Sequence, residues 1–256
     1  MQRERAREFV DLSFLNSSVP ESLDKSGLLR KFGFVRVVGG NTIIGSDTPL
    51  VCRLEGRRLN ETPIRPVEVE SFWIAQTKVT NSLFELFLPT HVRPPQSLQD
   101  DKPVVDVTYS EALRFCQFLN RKTKMSFRLP SEPEWVRAAA PDGWWLPYSP
   151  DTIPDLTKAH TFGDGHEHGC APILDPRWEE NYLGLDQMGH NTGEFTFGHY
   201  RIPQGQWGAF DDGMYCIVKG GDWGHCAYSP RVNRRSIFDV ADRNPRVGFR
   251  LAHDDI

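Results

Sequence analysis

His166 and His168, one residue apart, share a short run with Asp164 and Cys170, the densest set of potential metal ligands in the chain. Mixed nitrogen and sulfur donors at such spacing suit zinc. Gly163, Gly165 and Gly169 interrupt the same run and no fourth ligand stands nearby, so a solvated histidine loop is the favoured reading. Cys226 beside His225 suggests a thiolate activated by imidazole. Neighbours on an extended chain point to opposite faces, which disfavours that pairing. Asp211-Asp212-Gly213 has the carboxylates of a cation loop, but Asp-Gly is foremost a turn signal. Arg128 and Arg250 lie inside apolar segments, where buried structural hydrogen bonds are expected of a guanidinium. The sequence holds no Ser-His-Asp set, phosphate-binding loop or dinucleotide fingerprint.

Composition narrows what such residues can serve. With 256 residues, 39% of them hydrophobic, the chain is long enough for one large domain with a sizeable core. Its 16 Phe, 7 Trp, 19 Pro and 21 Gly lean towards a loop-rich fold packed on aromatic rings. A net charge of -4 without a long basic run excludes nucleic acid as the expected partner. No apolar run reaches membrane-spanning length, and the charged stretch from Met1 to Glu8 precedes no signal-peptide core. The expected location is cytoplasmic, or virion-associated if the gene is a phage's. The five cysteines (Cys52, Cys116, Cys170, Cys216, Cys226) are odd in number and widely spaced. That pattern argues against a disulfide framework and for buried thiols.

The elements that must hold these residues follow from pattern. Residues 1–30 read as an N-terminal arm, with Phe9, Leu12 and Leu15 on helical spacing, and residues 31–256 as one domain. Phe34 to Val38 and Thr42 to Gly45 flank Gly39-Gly40-Asn41 as a hairpin, and Arg65 to Ile74 alternates as a third strand. Thr80-Asn81 caps a helix presenting Leu83, Phe84, Phe87 and Leu88. Thr108-Tyr109-Ser110-Glu111 and Ser131-Glu132-Pro133-Glu134 are capping-box patterns opening two more. Pattern nearly vanishes from Pro141 to Tyr182. Near the end, Val218 to Trp223 and Val247 to Ala252 read as short strands framing Gly224 to Arg246, which has no sustained period. That framed stretch carries Tyr228, Phe238 and five arginines, poor material for disorder, and reads as an ordered contact surface.

Taken in order, several segments resemble the formylglycine-generating-enzyme/sulfatase-modifying-factor family. They are Gly39-Gly40 with Gly45, Phe72-Trp73-Ile74, Lys78-Val79-Thr80-Asn81, Pro103 to Thr108, and Phe127-Arg128-Leu129-Pro130-Ser131-Glu132-Pro133-Glu134-Trp135. Asn181, Gly184 to Thr196, Gly220-Gly221-Asp222-Trp223 and Gly248-Phe249-Arg250 complete the match. The resemblance implies an α+β, C-type-lectin-like fold of short strands, two or three helices and much irregular loop.

For activity the resemblance implies a departure. The family's formylglycine-generating enzymes bind copper with two cysteines, and the matching places here hold His225 and Pro230. A soft-metal site of two thiolates is therefore not expected. The family's central loop binds calcium, and the matching positions are Gln187, His190, Thr192 and Glu194; Glu194 is the one carboxylate among them, so the favoured reading is that it bonds loop amides, with calcium as the alternative. A second resemblance is to the variable proteins of diversity-generating retroelements, which diversify the segment between these two last motifs. By that likeness the chain is a non-catalytic module that binds a protein or other surface ligand through residues 223–243. The contact residues expected are His225, Cys226, Tyr228, Ser229, Arg231, Asn233, Arg235, Ile237, Phe238 and Asp239. The alternative is an oxidoreductase or other modifying enzyme of the same family with an altered site.

Overall fold

The computed structural model describes residues 7–10, 32–46, 61, 63–140, 146–147, 159–161, 169–199, 214–225 and 230–254. Among the described residues, three sheets and three helices form the framework. The first sheet joins β1 (Arg7–Val10), β2 (Phe32–Val37), β5 (Phe72–Ala75) and β10 (Ala252–Asp254), all antiparallel. β3 (Gly40–Ile44) pairs with β4 (Arg65–Val69). The third sheet runs in the order β8 (Arg235–Asp239), β7 (Tyr215–Lys219), β6 (Gly193–Phe195) and β9 (Val247–Gly248), with β6 and β9 parallel.

Three expectations are corrected here. Arg7–Val10 is a strand on the edge of the first sheet rather than a helical turn, so the arm enters the domain's own sheet. Pairing with Phe32–Val35 supplies backbone partners that helical spacing alone cannot outweigh. Leu12 and Leu15 lie outside the described residues. Secondly, β2 and β3 do not fold back on each other. Val37 faces Phe72 and Gly40 faces Val69, so β2 and β3 continue in one register opposite β5 and β4, with a bend between. Thirdly, the strand expected from Val247 to Ala252 is divided: β9 belongs to the third sheet and β10 to the first.

The bend has a visible cause. A Cβ on Gly39 would lie 2.7 Å from the backbone of both Ser71 and Val69, so the two chains cross too closely for any side chain. Gly39 N–H donates to Ser71 Oγ at 2.9 Å. The Arg137 guanidinium then collects the carbonyls of Val38, Gly39 and Asn41 at 2.6, 2.7 and 2.9 Å. Val38 and Gly39 lie at the bend, outside both strands, where their carbonyls need donors. Arg137→Ala is expected to cost about 1–2 kcal/mol, read as a lower urea midpoint with unchanged slope.

The helices follow their caps. α1 (Asn81–Glu85) begins at Thr80, whose side chain accepts from Leu83 N–H. α2 (Tyr109–Thr123) and α3 (Glu132–Ala139) each open with the complete capping box read from sequence. α2 turns Ala112, Phe115, Cys116 and Leu119 inward, where Phe84, Phe115 and Phe249 pack with centroids 5.5–6.1 Å apart. A second cluster gathers Trp135, Val136, Leu185 and Met188 against Val35 and Ile74. Cys116, Cys170 and Cys216 are buried free thiols, as composition suggested, and burial pushes each pKa up to about 12. Between the two sheets Phe249, Arg250 and Leu251 carry the chain across. Val79 N–H donates to Phe249 O at 3.0 Å and Ala75 N–H to Leu251 O at 2.8 Å. This crossing places Arg250 in the centre of the molecule.

Candidate functional site

Two places concentrate charged side chains near the crossing, one sealed and one open. In the sealed one, Arg250 is fully buried and spends all five of its N–H groups. Nε and one Nη2 hydrogen grip Glu194 at 2.6 and 2.8 Å. The others reach the carbonyls of Ala75, Gln76 and Asp186 at 3.1, 3.2 and 3.1 Å. Trp135 Nε1 adds a bond to Glu194 at 2.9 Å. The Lys78 ammonium, also buried, donates to the carbonyls of Gln187 at 2.7 Å and His190 at 3.1 Å, and lies 3.2 Å from Glu194 Oε1. Burial alone would raise the Glu194 carboxyl, but Arg250 and Lys78 together hold it down at about 2. Asp186 is pushed the other way, to about 6, because burial outweighs its one bond from Leu174 N–H. The His190 ring accepts the His160 N–H at 3.2 Å, and burial keeps its pKa well below the ordinary value.

The open place is a cavity of about 320 Å³ in the C-terminal segment. Val218, Ile237, Phe238 and Val247 give it apolar walls; Asp222, Asp242, Arg234 and Arg246 give it charged ones, with His225 beside them. The loop after β7 is tied to the central loop by Gly221 N–H to Gly189 O at 2.7 Å and Trp223 N–H to Asn191 O at 2.9 Å. Asp222 then organises the turn. One carboxylate oxygen accepts from Gly224 N–H at 2.9 Å, and the other meets His225 Nδ1 at 2.5 Å. Arg246 lies over Gly224, where a Cβ would come within 2.8 Å of it, and reaches to 3.9 Å from Asp222. The result is a rigid, mixed-charge concavity whose imidazole is held by one nitrogen.

Residues 21–255 match the family described as Sulfatase-modifying factor enzyme 1-like domain. The chain belongs to this family. Among curated proteins it is similar to serine/threonine-protein kinase Pkn1 of Chlamydia trachomatis, serovar L2, at 25% identity over 238 residues. That match covers 78% of this chain but only 36% of the kinase, so the chain spans about a third of its relative's length. The fold is shared with PvdO from Pseudomonas aeruginosa (TM-score 0.69, 21% identity, 88% of this chain and 95% of that one). It is shared equally with Treponema denticola variable protein 1 (TM-score 0.71, 18% identity, 98% and 99%). Both likenesses establish the C-type-lectin-like architecture expected from the motifs.

Family membership gives the sequence-derived positions a common frame, and the structure sorts them. His225, Ile237 and Phe238 all line the cavity. Asp239 is half-buried at the end of β8. Asn233 is half-buried, and its Oδ1 has no partner among the described residues. Arg231 and Arg235 are corrected. Arg231 is 3% exposed and binds Glu61 through both nitrogens at 3.0 and 3.1 Å. Arg235 grips Glu132 at 2.8 and 2.7 Å. Both are framework ties, because a buried carboxylate must be paired. Cys226, Tyr228 and Ser229 lie outside the described residues, as do Asp164, His166, His168 and Asp211-Asp212-Gly213. Trp223 is half-buried. Sequence reading did not single out Arg246 or Asp222 for the cavity, although Asp222 stood inside a recognised motif.

The calcium expectation meets a donor set already in use. Of Gln187, His190, Thr192 and Glu194, three do converge on one point, through two carbonyls and a carboxylate. The point is occupied by the Lys78 ammonium. The Thr192 hydroxyl has no partner among the described residues. Gln187 directs its side chain elsewhere, Nε2 donating to Pro172 O at 2.6 Å. Calcium needs six to eight oxygens and cannot share three with an ammonium, so these residues as placed do not fit it.

Proposed function

We propose that this protein is a binding module that takes a protein or other surface ligand at the cavity between β7, β8 and β9, within residues 223–243 and adjoining Arg246. The observation that carries the reading is the cavity itself: a concavity where apolar side chains meet convergent charged and polar groups offers a ligand both burial and orientation. Its walls are fixed by the Asp222 turn and by the ties to the central loop, so little order would have to be acquired on binding. The shared architecture with a variable protein of Treponema denticola supports a further step, that the segment is diversified in the gene. Variation would then fall on His225, Ile237 and Asp239 and spare Arg231 and Arg235, whose loss would strand buried Glu61 and Glu132. A near-copy of the codons for this segment, differing at adenines and beside a reverse transcriptase, is the genomic sign.

The binding claim is tested by panning a random-peptide display library on the wild-type chain and on the double variant His225→Ala, Arg246→Ala. Enriched peptides should bind the wild type and lose about tenfold or more on the variant, with both proteins melting alike. Peptides that bind the two equally would remove the cavity from the proposal. One observation favours an enzymatic reading instead. His225 Nδ1 is held by Asp222, which is how an imidazole is oriented to exchange protons through Nε2.

A further inference from the structure

We propose that Lys78 is a built-in cation that takes the place of a metal ion in the central loop, so that the fold stands without calcium. The seat has the features of a cation site. Two backbone carbonyls, of Gln187 and His190, and one edge of the Glu194 carboxylate point at a single buried spot. The ammonium has three N–H donors, and the three acceptors at 2.7, 3.1 and 3.2 Å match them one for one. Gln187 is held in a left-handed conformation (φ 47°), which a non-glycine residue adopts only where its surroundings impose it. Here the left-handed turn accompanies a carbonyl aimed at Lys78.

Charge gives the same answer. Two cations, Lys78 and Arg250, meet two carboxylates, Glu194 and Asp186, inside a region closed to water. The sum is zero. A calcium ion added to that set would leave two uncompensated positive charges in the interior, which proteins do not sustain. Glu194 offers the seat only Oε1, which it shares with Arg250, since Arg250 and Trp135 together take up Oε2. The lysine is therefore an alternative to the metal rather than its companion. A covalently attached cation cannot dissociate, so the central loop and the cavity tied to it keep their shape whatever the calcium level.

The experiment uses the full chain melted in EDTA and in millimolar calcium chloride, together with calcium analysis after gel filtration. The wild type is expected to melt at the same temperature in both and to retain no stoichiometric calcium. Lys78→Met leaves both carbonyls unanswered and is expected to melt lower by roughly 5–15 °C in either buffer. Lys78→Glu puts a second carboxylate among the carbonyls, and it is expected to melt several degrees higher in calcium than in EDTA. Stoichiometric calcium on the wild type, or a wild-type melting point that rises with calcium, overturns the proposal. So does a Lys78→Met variant that melts like the wild type. Should that variant fail to fold, the two wild-type measurements still decide.

Discussion

Arg250→Met is expected to lose a large share of the protein's stability, about 3–5 kcal/mol of a total of about 5–15. The substitution conserves bulk and apolar contact, so packing is not the cause. It strands the Glu194 carboxylate, which is fully buried, and withdraws donors from the carbonyls of Ala75, Gln76 and Asp186. Those carbonyls lie at the junction where the chain passes from the third sheet to the first. Urea unfolding at neutral pH should show the midpoint fall sharply, and Arg250→Lys should recover only part, because an ammonium cannot supply the two-pronged grip. The wild type carries a pH signature of the same contact. Glu194 is held at about 2 against an ordinary 4.5. Its contribution is therefore present above 4.5 and is lost as pH falls from there towards 2. A wild-type acid limb with no slope in that window would show that Arg250 and Glu194 are not coupled in the folded state.

The same residues show how far sequence could lead. Both capping boxes were legible because each is a local device, a hydroxyl and a carboxylate three residues apart. The C-type-lectin-like architecture was legible because many short motifs occur in one order. What stayed hidden is non-local. Gly39-Gly40 has the composition of a hairpin turn, yet its backbone bends because Ser71 and Val69 cross it, some thirty positions away. β8 was missed because Arg235-Ser236-Ile237-Phe238-Asp239 places two apolar residues side by side and every position is half-buried, so no alternation can be read. Arg231 and Arg235 looked like contact residues because arginine and aromatic residues mark interfaces; only the structure brings Glu61 and Glu132 to them. The central loop is the clearest case. The resemblance grouped Gln187, His190 and Glu194 round calcium, whereas the group they surround is the Lys78 ammonium, from another motif more than a hundred positions earlier.

Lys219→Met, in contrast, is expected to raise stability at neutral pH by about 1–3 kcal/mol. Lys219 is as deeply buried as Lys78, but among the described residues its ammonium has a single long polar contact, 3.4 Å to Glu132, and lies 5.8 Å from the centre of the Trp135 ring. Burial lowers its pKa to about 8, and Glu132 only partly offsets that. Glu132 does not depend on it, since Arg235 already binds both carboxylate oxygens. Methionine fills the same space against Trp135 and brings no charge. The sign can be checked by titration. Between about 8 and the ordinary 10.5 the unfolded chain holds a proton on Lys219 that the folded chain has released. The stability of the wild type relative to Lys219→Met should therefore climb with pH across that window, since Lys78 and the buried thiols titrate alike in both chains. A loss of stability in the variant at pH 7 would mean that Glu132 needs both cations. The contrast with Lys78→Met rests on acceptors: equal burial, three partners in one case and one distant partner in the other, and opposite expected signs.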